Sequence, residues 1–168
     1  MARLPRLWRH LFAPTARRLF PEPALAQITE AIAHGEARHR GEVCFAVESA
    51  LPSRAVVAGT QPRARAQEVF AQLRVWDTAA NNGVLVYLLL ADHRIEIVAD
   101  RGLDGLVSAE QWGGVCLLME ERLRAGDVQD AALQGVLAVT DLIAQYFPRA
   151  ADDSDDRNEL PDRPHLLP

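Results

Sequence analysis

The longest uninterrupted run of apolar residues in the sequence, Val84–Ala91, is eight residues long. A helix that crosses a bilayer needs about twenty such residues, so this run is too short to span a membrane. It has the length of a strand, and because its apolar residues are consecutive, both faces of that strand must be covered. The sequence therefore predicts a central strand over Gly83–Leu90, in a sheet that is packed on both faces.

The segments around this run have the patterns of an α/β domain. Glu42–Glu48 is a second apolar run of strand length, and Ile95–Asp100 alternates apolar and polar residues like a strand with one less buried face. With 168 residues, of which 49% are hydrophobic, the chain suits one domain. We predict an α/β/α sandwich with a small mixed β-sheet and helices on both faces. Helical periodicity predicts those helices over Pro23–Arg40, Pro62–Trp76, Ser108–Gly126 and Asp127–Phe147.

The chain divides into three parts by composition. Residues 1–19 form a basic amphipathic N-terminal helix, and residues 20–148 contain all the predicted strands and longer helices. Residues 149–168 are rich in Asp and Pro and lack apolar periodicity. Such a composition is typical of disorder, so we predict an acidic disordered tail.

The N-terminal helix has two interpretations. Its apolar residues recur at helical spacing, with arginines at most of the other positions, and such a helix can lie on an anionic membrane surface. Alternatively it packs on its own domain, because the break at Pro14 limits it to about ten residues. On the membrane interpretation, the residues that contact lipid are Leu4, Leu7, Trp8, Leu11 and Phe12.

Charge and short motifs exclude several functional classes. The net charge is −5 and the excess of basic residues is confined to the N-terminal segment, so we expect no nucleic-acid partner. Glycine-rich nucleotide-binding motifs, the serine hydrolase motif and the His-Glu-x-x-His motif are absent. Cys44 and Cys116 are too few for a disulfide scaffold or a cysteine-based zinc site. No signal peptide pattern is found, so the predicted location is the cytoplasm, with peripheral attachment at the inner membrane face on the membrane interpretation.

Oxygen-bearing side chains are predicted to meet at one end of the sheet. If the strands on either side of His93 form a hairpin, Asp100 returns beside Gly83, and a parallel βαβ unit brings Glu42 to the same end. Calcium and magnesium prefer such oxygen ligands. The alternative is that these residues, several of which precede glycine, are turn residues chosen for backbone geometry. The candidate metal ligands are Glu42, Asp77, Asn81, Asn82, Asp100 and Asp104.

Several of these segments together resemble one known family. Gly41-Glu42-Val43-x-Phe45-x-Val47-Glu48, Asn81-Asn82-Gly83-Val84-Leu85 and Arg101-Gly102-Leu103-x-Gly105 follow one another in the order and spacing of the TPM domain. The similarity extends over about Phe20–Phe147. It implies an α/β/α sandwich, and it implies the acid phosphatase activity and calcium binding that have been attributed to some members. Many members have Asp-Asn-Gly where this chain has Asn81-Asn82-Gly83, which removes one carboxylate.

Two functional hypotheses follow. In the first, the chain binds calcium or magnesium at the strand ends and hydrolyses a small phosphorylated substrate, with Arg101 binding the phosphate through its fork of donors. For Arg101 the alternative is a solvated arginine at a strand end. In the second hypothesis, the chain is a non-catalytic interaction module held at a membrane surface or by a membrane-bound or other partner protein. The sequence does not specify the oligomeric state.

Overall fold

A mixed β-sheet forms the centre of the structure. The computed structural model describes residues 3–150 and 158–168. Among them, the sheet has the spatial order β3–β2–β1–β4, in which β1 is parallel to β2 and β4, and β2 is antiparallel to β3. The strands are β1 (Glu42–Glu48), β2 (Gly83–Leu89), β3 (Arg94–Ala99) and β4 (His165–Leu167). The prediction of a central strand beginning at Gly83 is confirmed.

Helices cover both faces of this sheet. Those of the main body are α3 (Glu22–Glu36), α4 (Ser53–Ala58), α5 (Pro62–Gln72), α6 (Ala109–Ala125) and α7 (Val128–Tyr146), and they follow α1 (Arg3–Leu11) and α2 (Ala16–Leu19). One hydrophobic core joins α3, α6 and α7 to the first face, and a second core joins α4 and α5 to the other. The predicted α/β sandwich with helices on both faces is therefore confirmed.

Alternation along β1 and β2 produces the two cores. In β1, Val43 and Phe45 face the first core, whereas Cys44 and Ala46 face the second. All residues of both strands are buried. An apolar side chain is thus required at nearly every position, which explains why both strands read as continuous hydrophobic runs.

A buried ionic group fixes α5 against the sheet. The carboxylate of Glu48, at the end of β1, is 2% exposed and accepts hydrogen bonds from Arg65 Nε and Nη2 at 2.9 and 3.0 Å. The hydroxyl of Tyr87 on β2 donates to the same carboxylate at 2.5 Å. Because a buried carboxylate requires such partners, these bonds hold the orientation of α5 relative to β1 and β2.

The expected break at Pro14 is present, and the N-terminal segment is two helices instead of one helix over residues 1–19. α1 ends at Leu11 and α2 begins at Ala16, with Pro14 between them. Proline cannot donate the backbone hydrogen bond of a helix interior, so one continuous helix over residues 1–19 is not formed. Residues 1 and 2 of the predicted helix lie outside the described residues.

The C-terminal segment is ordered where the structure describes it, so the predicted disordered tail is corrected for residues 158–168. Leu160 is 7% exposed, and β4 pairs with β1 in the register Ala46↔His165. Arg163 also forms an ion pair with Glu22 at 2.8 Å. A three-residue strand is too short to show periodicity, which is why the sequence pattern missed it. Residues 151–157 of the predicted tail lie outside the described residues.

Docking of this segment can be tested at Leu160. We expect Leu160→Ala to lower the free energy of unfolding by about 2–3 kcal/mol, because it removes a buried side chain. Leu117→Ala is the matched control, since Leu117 is 59% exposed on α6 and its removal should change stability by less than about 0.5 kcal/mol. Urea unfolding measures both variants. Equal, small effects would show that the segment does not pack on the domain in solution.

Candidate functional site

Three segments meet at the sheet end where β1 and β2 begin and β3 ends. Glu42 is opposite Gly83 in the register, and the backbone N–H of Asp100 donates to Gly83 O at 2.9 Å. The N–H of Glu42 donates to Asn82 O at 3.2 Å, which links the first two segments. This is the convergence of strand ends that the sequence predicts.

Asn81 and Arg101 connect two of these segments. Asn81 has φ +52°, and its carbonyl oxygen accepts a hydrogen bond from Gly102 N–H at 2.8 Å. A Cβ at Gly102 would lie 2.4 Å from that oxygen, so only glycine permits this approach. Arg101 Nε donates to Asn81 Oδ1 at 3.1 Å. Asn81 therefore acts as a turn residue that holds the end of β3, and Arg101 is exposed beside it.

Two side-chain oxygens at this end are buried without a hydrogen-bond partner in the described part of the chain. Asn82 is 2% exposed and its Nδ2 donates to Arg40 O, but its Oδ1 accepts no hydrogen bond. Asp100 Oδ1 accepts from Arg101 N–H at 2.8 Å, whereas Asp100 Oδ2 is buried and accepts none. Buried oxygens without donors are costly, and a bound cation satisfies such atoms.

The other predicted ligands are hydrogen-bonded, ion-paired or exposed. Glu42 Oε2 accepts from the backbone N–H groups of Glu159 and Leu160, both at 3.1 Å. Asp77 pairs with Arg74 at 2.5 Å, and Asp104 is exposed at the end of a 3₁₀ turn. Within residues 3–150 and 158–168, no three His, Cys, Asp or Glu side chains are placed to hold one metal ion.

The opposite end of the sheet holds α1 through a cluster of charged side chains. Arg6 donates to both oxygens of Asp92, with Nη2 at 2.6 Å from Oδ2, and Leu7 packs against the second core. His10 Nδ1 accepts from Leu51 N–H at 2.9 Å, and its Nε2 lies 3.1 Å from Asp92 Oδ1. Burial lowers the pKa of His10 more than the nearby carboxylate raises it. Because Nδ1 accepts a hydrogen bond, the ring proton is on Nε2, which faces Asp92.

The outer face of α1 is apolar. The ring centroids of Trp8 and Phe12 are 5.5 Å apart and the rings are stacked. Of the five predicted membrane contacts, Leu7 is turned inward, and the other four are between 55% and 73% exposed: Leu4, Trp8, Leu11 and Phe12. In the described part of the chain, no helix is long and apolar enough to cross a membrane.

Comparison with known proteins agrees with this geometry. A family model described as TPM domain matches residues 16–142. The chain belongs to the TPM domain family. It is also similar to the NMR structure of the BA42 protein from the psychrophilic bacterium Bizionia argentinensis, with 25% identity and a TM-score of 0.73, over 85% of this chain and 92% of that chain. A comparison with curated proteins finds no match. The resemblance inferred from the strand-opening motifs is confirmed.

This TPM domain also contains a buried carboxylate that the sequence analysis missed. Glu36 is 9% exposed at the end of α3 and accepts a hydrogen bond from Val43 N–H at 2.7 Å. Burial, together with the nearby charges of Glu42 and Asp162, raises the pKa of Glu36 to about 8. Glu36 continues the helical spacing of Ile28 and Ile32, so a carboxylate on an otherwise apolar stripe was the available signal.

The buried Glu36 makes the stability of the TPM domain depend on pH. Its folded pKa lies above the ordinary value, so its proton stabilises the fold at pH below about 4.5, and this contribution is lost as pH rises through about 8. We expect a loss on the order of 2–4 kcal/mol across this window. Glu36→Gln keeps the hydrogen-bond acceptor and should flatten the profile, whereas Glu30→Gln, at an exposed position of the same helix, should not. Unfolding at several pH values tests this, and an unchanged slope in Glu36→Gln would contradict it.

Proposed function

We propose that this TPM domain is an interaction module that binds an anionic membrane surface through α1. The observation that carries the proposal is the exposed apolar face formed by Leu4, Trp8, Leu11 and Phe12. A contiguous exposed apolar patch marks an interaction site, whereas single apolar residues scattered over a protein surface are normal. A nine-residue helix cannot span a bilayer, so binding would place α1 in the plane of the interface.

The contacts of α1 with the domain favour this orientation. Arg6 and His10 face the domain and are held by Asp92, while the apolar face is directed away. Burying that face inside the molecule would require breaking the contacts with Asp92. The apolar face is therefore available to a partner without rearrangement of the domain.

The charge near α1 favours an anionic surface over a neutral one. Arg9, Arg17 and Arg18 are exposed in the N-terminal segment. Each basic residue near an anionic membrane contributes about 1 kcal/mol, and this contribution weakens as salt increases. Trp8 adds an aromatic side chain of the kind that is enriched at membrane interfaces.

Vesicle co-sedimentation tests the proposal with two tryptophan variants. We expect the full chain to bind phosphatidylglycerol vesicles at low salt. Trp8→Ala should weaken that binding by about tenfold, because it removes apolar area that the membrane covers on binding. Trp76→Ala is the matched control, since Trp76 is 48% exposed and lies outside α1. Equal binding by both variants, or no binding by the wild type, would contradict the membrane proposal. Absence of vesicle binding would leave a partner protein as the ligand of this face.

A second candidate function is divalent-cation binding at the end of the sheet where β2 begins. Asp100 Oδ2 and Asn82 Oδ1 favour it, because both are buried without a donor among the described residues. Calcium accepts carboxylate, amide and backbone carbonyl oxygens in flexible shells, so it suits this set better than magnesium does. Asp100 would be its carboxylate ligand and Asn82 its amide ligand.

Phosphomonoester hydrolysis belongs to this second candidate. A bound cation would polarise a phosphoryl oxygen. Arg101 is exposed, follows Asp100 in the chain and uses Nε for Asn81, which leaves its terminal nitrogens to bind phosphate. The substrate would be a small phosphate ester that binds beside the exposed Arg101.

Calcium titration tests the second candidate. We expect calcium to raise the melting temperature by roughly 3 °C at saturating concentration and to shift the amide signals of residues 80–83 and 100–103. Asp100→Asn should abolish both effects, whereas Asp141→Asn, at an exposed position of α7, should preserve them. Hydrolysis of an aryl phosphate with and without calcium then tests catalysis separately. A response that persists in Asp100→Asn would place calcium elsewhere.

A further inference from the structure

An open cleft of about 690 Å³ lies at the end of the sheet opposite Asp100. It is bounded by α1, by the N-terminus of α5 and by the turn between β2 and β3. The charged residues that line it are Arg6, Arg9, Arg63, Asp92, Arg94 and Glu96. The proposed function uses the charge of Arg9 and the contact between Arg6 and Asp92, but it assigns no ligand to this cleft.

The two carboxylates of the cleft do not neutralise its four arginines. Asp92 is occupied by Arg6 at 2.6 Å, and Arg9 lies farther from it at 3.4 Å. Glu96 lies 3.8 Å from Arg63 and 3.9 Å from Arg94, beyond hydrogen-bond length. The residues that line the cleft therefore carry an excess of positive charge, and Glu96 lies near two of the arginines without a hydrogen bond to either.

Contacts outside the cleft hold two of these arginines in place, Arg63 and Arg94. Arg63 Nη1 donates to Ile97 O on β3, and Arg94 Nη1 lies 3.5 Å from Glu120 on α6. The side chains of Arg9, Arg63 and Arg94 are each between 51% and 59% exposed. Each guanidinium has five N–H donors, so these three retain donors for a ligand.

We propose that this cleft binds the phosphate group of a phosphate monoester through Arg9, Arg63 and Arg94. A phosphate monoester carries nearly two negative charges at neutral pH, and the three exposed guanidinium groups of Arg9, Arg63 and Arg94 can pair with them. The planar guanidinium fork also fits phosphate oxygens in pairs. The cleft is larger than a phosphate group, so it admits the alcohol portion of a soluble ester or of a lipid headgroup.

The start of α5 also favours an anionic ligand in this cleft. Gln61 precedes α5 without capping it through its side chain, and Pro62 occupies the first turn. The positive end of the helix dipole thus adds to the field of the arginines. Arg101 is at the other end of the sheet, so this site is separate from the cation candidate.

Amide-shift titration of the full chain with inorganic phosphate tests the cleft directly. We expect saturable shifts at residues 61–65 and 92–96 that sodium chloride at equal ionic strength does not reproduce. Arg94→Gln should weaken phosphate binding by about tenfold, because it removes a charge-assisted hydrogen bond. Glu96→Gln should strengthen it severalfold, because it removes the opposing carboxylate. Arg74→Gln, an exposed arginine outside the cleft, is the matched control and should bind like the wild type.

The lipid arm of the experiment separates the two sources of phosphate. Glycerol 3-phosphate binding with the same variant pattern supports a soluble ester, whereas stronger binding to phosphatidic acid vesicles than to phosphatidylglycerol vesicles, lost in Arg94→Gln, supports a headgroup. Trp8→Ala should leave the titration with free phosphate unchanged, so failure of the membrane proposal and failure of the cleft are distinguishable. Unsaturable shifts, equal shifts with chloride, or unchanged affinity in both Arg94→Gln and Glu96→Gln would overturn the phosphate site.

Discussion

Burial of β1 and β2 on both faces is the constraint on which the rest of the structure depends. Because neither strand has a face exposed to water, each layer of the sandwich must be supplied by helices, and polar chemistry is confined to the ends of the strands. The two ends differ in charge. Asn82 and Asp100 bring oxygens to one end, whereas Arg63 and Arg94 bring guanidinium groups to the other.

The sequence was sufficient to predict the three longer strands of the sheet, but not β4 or the hydrogen bonds that the side chains at the sheet end make. Continuous apolar runs identify central strands, and the hairpin and crossover rules then place Asp100 beside Gly83. The carboxylate of Glu42 is occupied by backbone N–H groups that lie 117 and 118 residues later in the chain. A contact of that separation leaves no periodic pattern, so sequence reasoning counted Glu42 as an available ligand.

The orientation of α1 shows a different limit of pattern reasoning. The usual inference from hydrophobic periodicity is that the apolar face of a helix packs on the domain. In α1, however, Arg6 and His10 face the domain while Trp8 and Phe12 face outward. The reason is Asp92, whose carboxylate sits at the turn between β2 and β3 and binds the polar face of the helix. The pattern identified the stripe correctly, but the partner that selects the inward face is 86 residues away along the chain.

The bond between Arg63 and Ile97 has a consequence for assembly. β3 is an edge strand, and its unbonded backbone groups could pair with a strand of another molecule. The guanidinium of Arg63 occupies the carbonyl of Ile97, in the middle of that edge. The same side chain that adds positive charge to the cleft thereby withholds a backbone acceptor from intermolecular strand pairing, and so protects the sheet against aggregation at this edge.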